Sequence, residues 1–250
     1  MNNTLVRIIT AAVVIPPLLY IFYKGGHLFL GLIEVVIFIG MNEYHNMVEQ
    51  KALSPDRMPG TVLALVLGLV AYTGNVEHLM AAFVISVLLI LANRLRTLDI
   101  EHAITGIGAT LFGVVYIGLL LSHANLLRVA RDPANGNDLG FFFMIMAIAA
   151  TFLADAGAYF TGRAHGKTKL APFISPGKTR EGALGGIVGG VLGVVLTKLV
   201  FDWFIFDAPT GMPLIHCVLL GPLLVVATIA GDLSESLMKR DSGIKDSGNI

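Results

Sequence analysis

The sequence predicts an all-α fold, a polytopic transmembrane helical bundle, and three observations lead to it. Hydrophobic residues make up 55% of the 250 residues and charged residues only 14%, whereas a soluble domain carries about 25% charged residues. The mean hydropathy is +0.78. Apolar runs also approach the ~20 residues that a helix needs to cross a hydrocarbon core of ~30 Å.

Eight apolar segments are predicted to form about eight spans of a single integral membrane domain, 1–250. They cover 5–23, 28–41, 61–74, 79–92, 103–121, 139–161, 182–201 and 213–232. The third and fourth are short for complete spans, so one of them can be re-entrant or tilted. The spans in 1–138 carry few polar motifs, while those in 139–250 carry the motifs described below.

Loop lysines and arginines predict the sidedness, because cytoplasmic loops carry an excess of both. If all eight segments span, the loops after odd-numbered segments hold only Lys24, Arg128 and Arg131. Those after even-numbered segments hold Lys51, Arg57, Arg94, Arg96, Arg163, Lys167, Lys169, Lys178, Arg180, Lys239, Arg240 and Lys245. The 162–181 loop and the C-terminal end are therefore both predicted to lie in the cytoplasm.

Composition also excludes two classes of function. The formal net charge is zero, so no global basic field favours binding to nucleic acid. The histidines show no metal-ligand spacing, and the sequence therefore supports no zinc site.

Asp155 lies in the apolar run Thr151-Phe152-Leu153-Ala154-Asp155-Ala156-Gly157-Ala158-Tyr159. A carboxylate within a membrane helix costs roughly 2.5–3.5 kcal/mol at the centre, so it usually faces a polar interior. Tyr159 follows one turn later on the same face. Two interpretations stay open: a carboxylate that serves helix packing, and one that serves a metal or phosphate site.

The 162–182 segment contains Ser175-Pro176-Gly177-Lys178-Thr179. Its last three residues are similar to the end of a Walker A loop, but Pro172 occupies the place of the first glycine and no predicted strand precedes it. Backbone amides after Gly177 can open the next helix and favour a phosphate, with Lys178 beside it. The alternative is a solvated, positively charged cytoplasmic loop.

The C-terminal polar segment, 231–248, concentrates charged residues directly after an apolar run. If 232–240 continues a helix, Asp232, Glu235, Ser236 and Lys239 share one face. Asp232 then suits a hard divalent cation, and Lys239, Arg240 and Lys245 suit phosphates. The alternative is an amphipathic surface helix with a Glu235–Lys239 ion pair.

With these motifs the chain resembles the phosphatidate cytidylyltransferases of bacterial type. The family signature Ser-x-x-Lys-Arg, four residues, Lys-Asp matches Ser236, Lys239, Arg240, Lys245 and Asp246. Segments 231–236, 154–159 and 169–179 match further family motifs. The resemblance implies transfer of the cytidylyl group of CTP to phosphatidic acid, at the cytoplasmic side of a bacterial inner membrane.

The resemblance also implies roles for individual residues. Asp155, Lys178, Asp232 and Asp246 are expected to be catalytic, with Mg²⁺ held at Asp232 and assisted by Asp155 or Asp246. Substrate binding is expected of Ser175, Thr179, Ser236, Lys239, Arg240 and Lys245. The expected partners are CTP, phosphatidic acid and the lipid bilayer, without nucleic acid.

The family signature continues with a Pro-Gly-His-Gly-Gly loop, an Asp-Arg-x-Asp-Ser segment and a last hydrophobic span, and the sequence ends at Ile250 before them. We therefore expect a truncated chain that is inactive alone.

Two other functions stay open. One is a CTP-dependent enzyme acting on another lipid. The other is a multi-pass transporter with Asp155 and Lys198 on an ion path, although the inverted repeat that would favour it is not visible.

Glycines in the seventh segment form two small-residue faces, 182/186/190 and 185/189/193. Such faces let helices approach closely. They can serve packing within one subunit or a homodimer interface, and we expect packing within one subunit.

Overall fold

The computed structural model describes residues 3–51 and 53–243, with side chains described from Ala12 onward. Nine α-helices lie in this part of the chain: α1 Asn3–Lys24, α2 Gly26–Glu49, α3 Arg57–Ala71, α4 Val76–Thr97, α5 Ala103–Gly113, α6 Leu120–Arg128, α7 Leu139–His165, α8 Arg180–Val200 and α9 Leu214–Asp241. Two π-helical segments, Val114–Leu119 and Phe201–Ile205, join α5 to α6 and extend α8. The strands β1 Lys169–Ala171 and β2 Ser175–Thr179 form an antiparallel hairpin. The predicted helical membrane fold is confirmed.

The predicted number of spans is wrong. Each predicted apolar segment overlaps one helical stretch, but only six helices among the described residues are long and apolar enough to cross a membrane. They are Gly26–Glu49, Val76–Thr97, Ala103–Arg128, Leu139–His165, Arg180–Ile205 and Leu214–Asp241. In α1, the part with described side chains, Ala12–Lys24, is shorter, and so is the whole of α3, Arg57–Ala71. The 15 residues of α3 extend only ~22 Å along the helix axis, less than the ~30 Å core.

The chain divides into two compact units, Met1–Ala130 and Arg131–Ile250. In the first unit, α3 packs against α2, α4 and the stretch from α5 to α6. Its buried residues Leu63, Leu67 and Ala71 join a cluster with Leu79, Ile90 and Val114. The short α3 is therefore the packing centre of this unit, which explains why so short a helix is apolar.

Arg94 is one of two buried arginines of the first unit, with only 6% of its side chain exposed. It donates to the Ser54 carbonyl at 2.6 Å and to the Asp99 carboxylate at 2.8 Å, and it lies 3.4 Å from Asp56. The Asp56 amide in turn donates to Thr110 Oγ1 at 2.8 Å. The guanidinium thus connects the loop before α3 to the loop after α4, and its charge is compensated by two carboxylates.

In the second unit, α8 packs closely against both α7 and α9. A Cβ atom at Gly193 would lie 2.7 Å from the Ala149 carbonyl oxygen, and one at Gly221 of α9 would lie 2.7 Å from Val191 Cα. Both distances are below van der Waals contact, so side chains there would separate the helices. The glycine faces of α8 therefore pack within the chain, as expected, and a homodimer stays a prediction that needs another surface.

We expect Gly193→Ala to lower the free energy of unfolding by about 1–3 kcal/mol, because the added methyl overpacks the contact with α7. The matched control is Gly108→Ala in α5, where an added Cβ meets nothing within 4 Å. This control should be neutral or slightly stabilising, since alanine favours a helix over glycine. Thermal unfolding of both variants in detergent micelles, followed by circular dichroism, checks the difference. Equal midpoints would contradict the packing argument.

Candidate active site

The segment between α7 and α8 is a β-hairpin and not the open loop that the sequence suggested. Lys169 pairs with Thr179 and Ala171 with Ser175, with an irregularity between them. Gly177-Lys178-Thr179 therefore belongs to strand β2, which leads directly into α8. The Thr179 hydroxyl accepts from the Gly182 amide at 3.1 Å and caps the helix, as threonine does at this position. The Walker A similarity thus fails in structure also, because the lysine lies within the strand.

Glu181, in the first turn of α8, fastens the base of the hairpin. Its carboxylate accepts from the backbone amides of Lys167 at 3.1 Å and Thr168 at 3.2 Å. The Arg180 amide also donates to the Thr168 carbonyl at 2.9 Å. The sequence interpretation missed this residue, since a glutamate in the first turn of a helix ordinarily indicates only a favourable interaction with the helix dipole.

A cavity of about 370 Å³ lies where the end of α7, the hairpin, the start of α8 and α9 meet. Asp155 contributes from α7, Lys178 from β2 and Asp232 from α9. The other lining residues are Ala158, Tyr159, Gly162, Arg163, Leu170, Gly177, Thr179, Gly182, Ala183 and Ile229. Residues from three separate sequence motifs thus face one space.

The cavity contains two carboxylates and two cationic side chains. Lys178 forms an ion pair with Asp232, whose side chain is 53% exposed. Arg163 donates to the Tyr159 hydroxyl at 3.0 Å, and Asp155, Tyr159 and Arg163 follow one another at four-residue intervals along the same face of α7. The sequence interpretation counted Arg163 only as a loop cation, although its spacing of eight residues from Asp155 was visible.

Comparison with known proteins identifies the family. A sequence model of the cytidylyltransferase family matches residues 5–250. The chain belongs to this family. It is 33% identical to a phosphatidate cytidylyltransferase of Synechocystis over 270 aligned residues, which cover 98% of this chain and 87% of the relative. It is 31% identical to that of Brucella suis over 257 residues, covering 100% and 85%. A 126-residue match to that of Haemophilus influenzae is 38% identical and covers 50% of this chain and 41% of the relative.

Within this cytidylyltransferase, the structure brings together four of the predicted site residues, Asp155, Lys178, Thr179 and Asp232, around the cavity. Ser175, Ser236, Lys239 and Arg240 do not line it. Helix α9 continues to Asp241, so the helical face that begins at Asp232 exists as predicted. Lys245 and Asp246 lie outside the described residues, and the roles of all these residues stay predictions.

Further along α9, Lys239 forms the Glu235 ion pair that the alternative interpretation named, at 2.5 Å. An ion pair between residues four apart on an exposed helix surface contributes little to stability. It nevertheless places the Lys239 ammonium beside a carboxylate. The predicted phosphate-binding role of Lys239 therefore requires the side chain to leave Glu235.

Magnesium, which the family resemblance implies, can be tested against the oxygen donors present. The described residues contain no cluster of three or more His, Cys, Asp or Glu side chains that could hold a metal ion. Asp155 and Asp232 nevertheless line the same cavity, and Mg²⁺ is usually held by one or two carboxylates together with substrate phosphates. The two carboxylates thus fit a magnesium ion whose remaining ligands come from a bound polyphosphate and from water.

We expect Glu181→Ala to loosen the hairpin, because the amides of Lys167 and Thr168 lose their acceptor. Hydrogen–deuterium exchange of the 166–180 segment in micelles should become several-fold faster, with Glu181→Gln between wild type and alanine. Glu77→Ala is the matched control. Glu77 lies in the first turn of α4, so its substitution removes the same interaction with a helix dipole. Unchanged exchange in Glu181→Ala would show that the hairpin is held by other contacts.

Proposed function

We propose that this protein transfers the cytidylyl group of CTP to phosphatidic acid, giving CDP-diacylglycerol and pyrophosphate. The observation that carries the proposal is the shared cavity of Asp155, Lys178 and Asp232 in a membrane-spanning member of the cytidylyltransferase family. The cavity offers cations for phosphate oxygens and carboxylates for a divalent cation. Its relatives in Synechocystis and Brucella suis carry the name of this activity.

In the proposed reaction, an oxygen of the lipid phosphate attacks the α-phosphorus of CTP. A new phosphorus–oxygen bond forms, the bond from the α-phosphorus to the bridging oxygen breaks, and pyrophosphate leaves with its electron pair. Both reactants are anionic, so charge neutralisation and in-line positioning lower the barrier. Lys178 and Arg163 line the cavity and would bind phosphate oxygens. Asp155 and Asp232 would hold magnesium, which supplies further neutralisation of the triphosphate.

The Lys178–Asp232 ion pair has a consequence for binding. While it is formed, the ammonium group and the carboxylate neutralise each other inside the cavity. A triphosphate with its magnesium ion offers the ammonium a new anion and the carboxylate a new cation. We therefore infer that the pair exchanges partners when CTP and magnesium bind together, and that neither alone is bound as well.

The proposed position of the site is the cytoplasmic edge of the bacterial inner membrane. The end of α7, the start of α8 and the last part of α9 meet at the cavity, and these helices are candidate spans. A site at a membrane edge receives CTP from water and a lipid phosphate from the headgroup layer. Five basic residues and no acidic residue lie from 163 to 180, at the connection between α7 and α8, and such a charge excess favours the cytoplasmic side.

The structure does not favour the transporter alternative. Lys198 forms an ion pair with Asp202, and the amide of Thr210 donates to the same carboxylate at 2.9 Å. Lys198 does not line the cavity that contains Asp155. A different lipid acceptor remains open, and competing lipids in the assay distinguish it.

Radiolabelled CTP tests the activity. We expect membranes containing the protein to incorporate cytidine label into lipid when phosphatidic acid and magnesium are supplied. The assay should include the 250-residue chain and a version extended by the further signature segment of the family, and each should be offered an ether-linked phosphate and a polyprenyl phosphate in competition. Lipid-linked label from neither version would overturn the proposed function. Preferential labelling of a competing lipid would show that this lipid, and not phosphatidic acid, is the substrate.

Substitution of the two carboxylates tests the metal assignment in whichever version is active. We expect Asp232→Asn to lower activity about 10–100-fold at fixed magnesium, because the amide is a poorer magnesium ligand. Asp155→Asn should act in the same direction. Asp207→Asn is the matched control, since Asp207 is exposed after the π-helical end of α8 and does not line the cavity. Wild-type activity and magnesium dependence in Asp232→Asn would show that the metal assignment is wrong.

A further inference from the structure

The turn of the hairpin exposes a large aromatic side chain. Phe173 lies between β1 and β2 in the turn Pro172-Phe173-Ile174, and 96% of its surface is exposed. The Ile174 amide donates to the Ala171 carbonyl at 3.2 Å, which closes the turn. A single exposed apolar side chain is ordinary on a protein surface, so the meaning of this ring depends on what lies beside the turn.

Chain connectivity places the base of the hairpin near the membrane surface. The hairpin joins the end of α7 to the start of α8, and both helices are candidate spans. The 27 residues of α7 extend ~40 Å, more than the ~30 Å hydrocarbon core, so the helix ends reach the headgroup layer. Glu181 and the Arg180 amide fasten the base of the hairpin to α8, so the base lies at that layer and two short strands separate the turn from it.

The charge of the hairpin region suits anionic lipids. From 163 to 180 the chain contains no acidic residue, and its basic residues are Arg163, Lys167, Lys169, Lys178 and Arg180. Lys178 is engaged by Asp232. The side chains of Lys167 and Lys169 are exposed. Anionic headgroups attract basic segments adjacent to membrane spans.

The same hairpin forms a wall of the cavity. Leu170 of β1 and Gly177, Lys178 and Thr179 of β2 line it, whereas Phe173 in the turn between them does not. Two strands of three and five residues therefore connect the exposed ring to the proposed site. A contact of the turn with the bilayer would set the depth of that wall relative to the lipid headgroups.

We propose that the hairpin is a membrane-interface anchor, in which Phe173 inserts among the lipid headgroups and Lys167 and Lys169 bind lipid phosphates. The partner is the headgroup layer of the bilayer that α7 and α8 cross. The anchor holds the cavity at the depth at which a lipid phosphate enters it. This last consequence rests on the proposed function, whereas insertion of the turn does not.

Fluorescence tests the insertion without any assay of activity. The chain contains one tryptophan, so Trp203→Phe provides a background for Phe173→Trp. In vesicles of phosphatidylcholine and phosphatidylglycerol, we expect the emission of the Phe173→Trp variant to be quenched by lipids brominated near the glycerol end of the acyl chain. It should also be shielded from acrylamide in the water.

Ala134→Trp in the same background is the matched control, because Ala134 is exposed in the polar turn that precedes α7. We expect acrylamide to quench it and brominated lipids to have little effect. If Phe173→Trp behaves as this control does, the turn faces water and the proposal is overturned. That result would also be obtained if the ring served a soluble protein partner.

Kinetics in mixed micelles test the consequence for the site. We expect Phe173→Ser to raise the KM for phosphatidic acid about threefold or more, with kcat and the KM for CTP unchanged, and Phe173→Leu to stay near wild type. Brominated lipids should quench the Phe173→Trp emission more in vesicles that contain phosphatidylglycerol than in pure phosphatidylcholine. The double variant Lys167→Gln, Lys169→Gln should reduce this difference. If brominated lipids quench the Phe173→Trp emission but neither the 250-residue chain nor the extended version is active, the anchor is supported and the proposed function is rejected. Unchanged kinetics in Phe173→Ser with quenching present would reject the link to lipid entry.

Discussion

The close approach of α7 and α8 is the constraint on which the site depends, and glycines on α8 make it possible. Side chains at these positions would push the two helices apart and widen the angle at which the hairpin leaves α7. The two strands of the hairpin pair antiparallel, so its ends lie side by side and suit helix ends that are close together. Lys178 therefore faces Asp155 across one cavity because residues well away from it, such as Gly193, lack a side chain.

Helix α9 completes the cavity by a different means. It packs on α8 through Gly221 and through Val225 in its buried stretch, and it then continues beyond that contact as a largely exposed helix to Asp241. Asp232 lies on this continuation, where its only described ion-pair partner is Lys178 of the hairpin. Packing thus orients α9, and electrostatic attraction joins its polar end to the hairpin. The two contacts differ in their sensitivity to salt, because salt screens the Lys178–Asp232 ion pair much more than the apolar packing of α9 on α8.

Several features of the fold and site could be predicted from the sequence, and the others depend on information that local patterns lack. Hydropathy located the helices because a membrane span must be apolar along its length. It did not distinguish α3, which is too short to span and buries Leu63, Leu67 and Ala71 in a core cluster, from a complete span. Asp155, Lys178 and Asp232 were identifiable because charged residues beside apolar runs are costly. The hairpin was missed because Pro172, Pro176 and Gly177 ordinarily indicate a turn or loop.

Other side chains illustrate why sequence motifs do not fix roles. Lys239 matches the family signature, yet its ammonium pairs with Glu235 on the same helix. Thr179 matches a motif as well, and its hydroxyl caps α8 while it also lines the cavity. Glu181 belongs to neither the predicted site nor the cavity lining, and it still fastens the segment that leads into β1, the strand paired with the one that carries Lys178. The contacts that position a reactive group come from backbone amides, which have no signature in the sequence.

The separation of the hairpin base from its turn has a consequence for how such proteins diverge. The base is fixed by the Thr179 cap and the Glu181 acceptor, whereas the turn at Phe173 has almost no contacts of its own. Changes in the turn therefore leave the position of Lys178 intact. With the turn as the proposed anchor, a lineage that moves to membranes of different thickness or headgroup charge can adjust these few residues and keep the contacts that position Lys178.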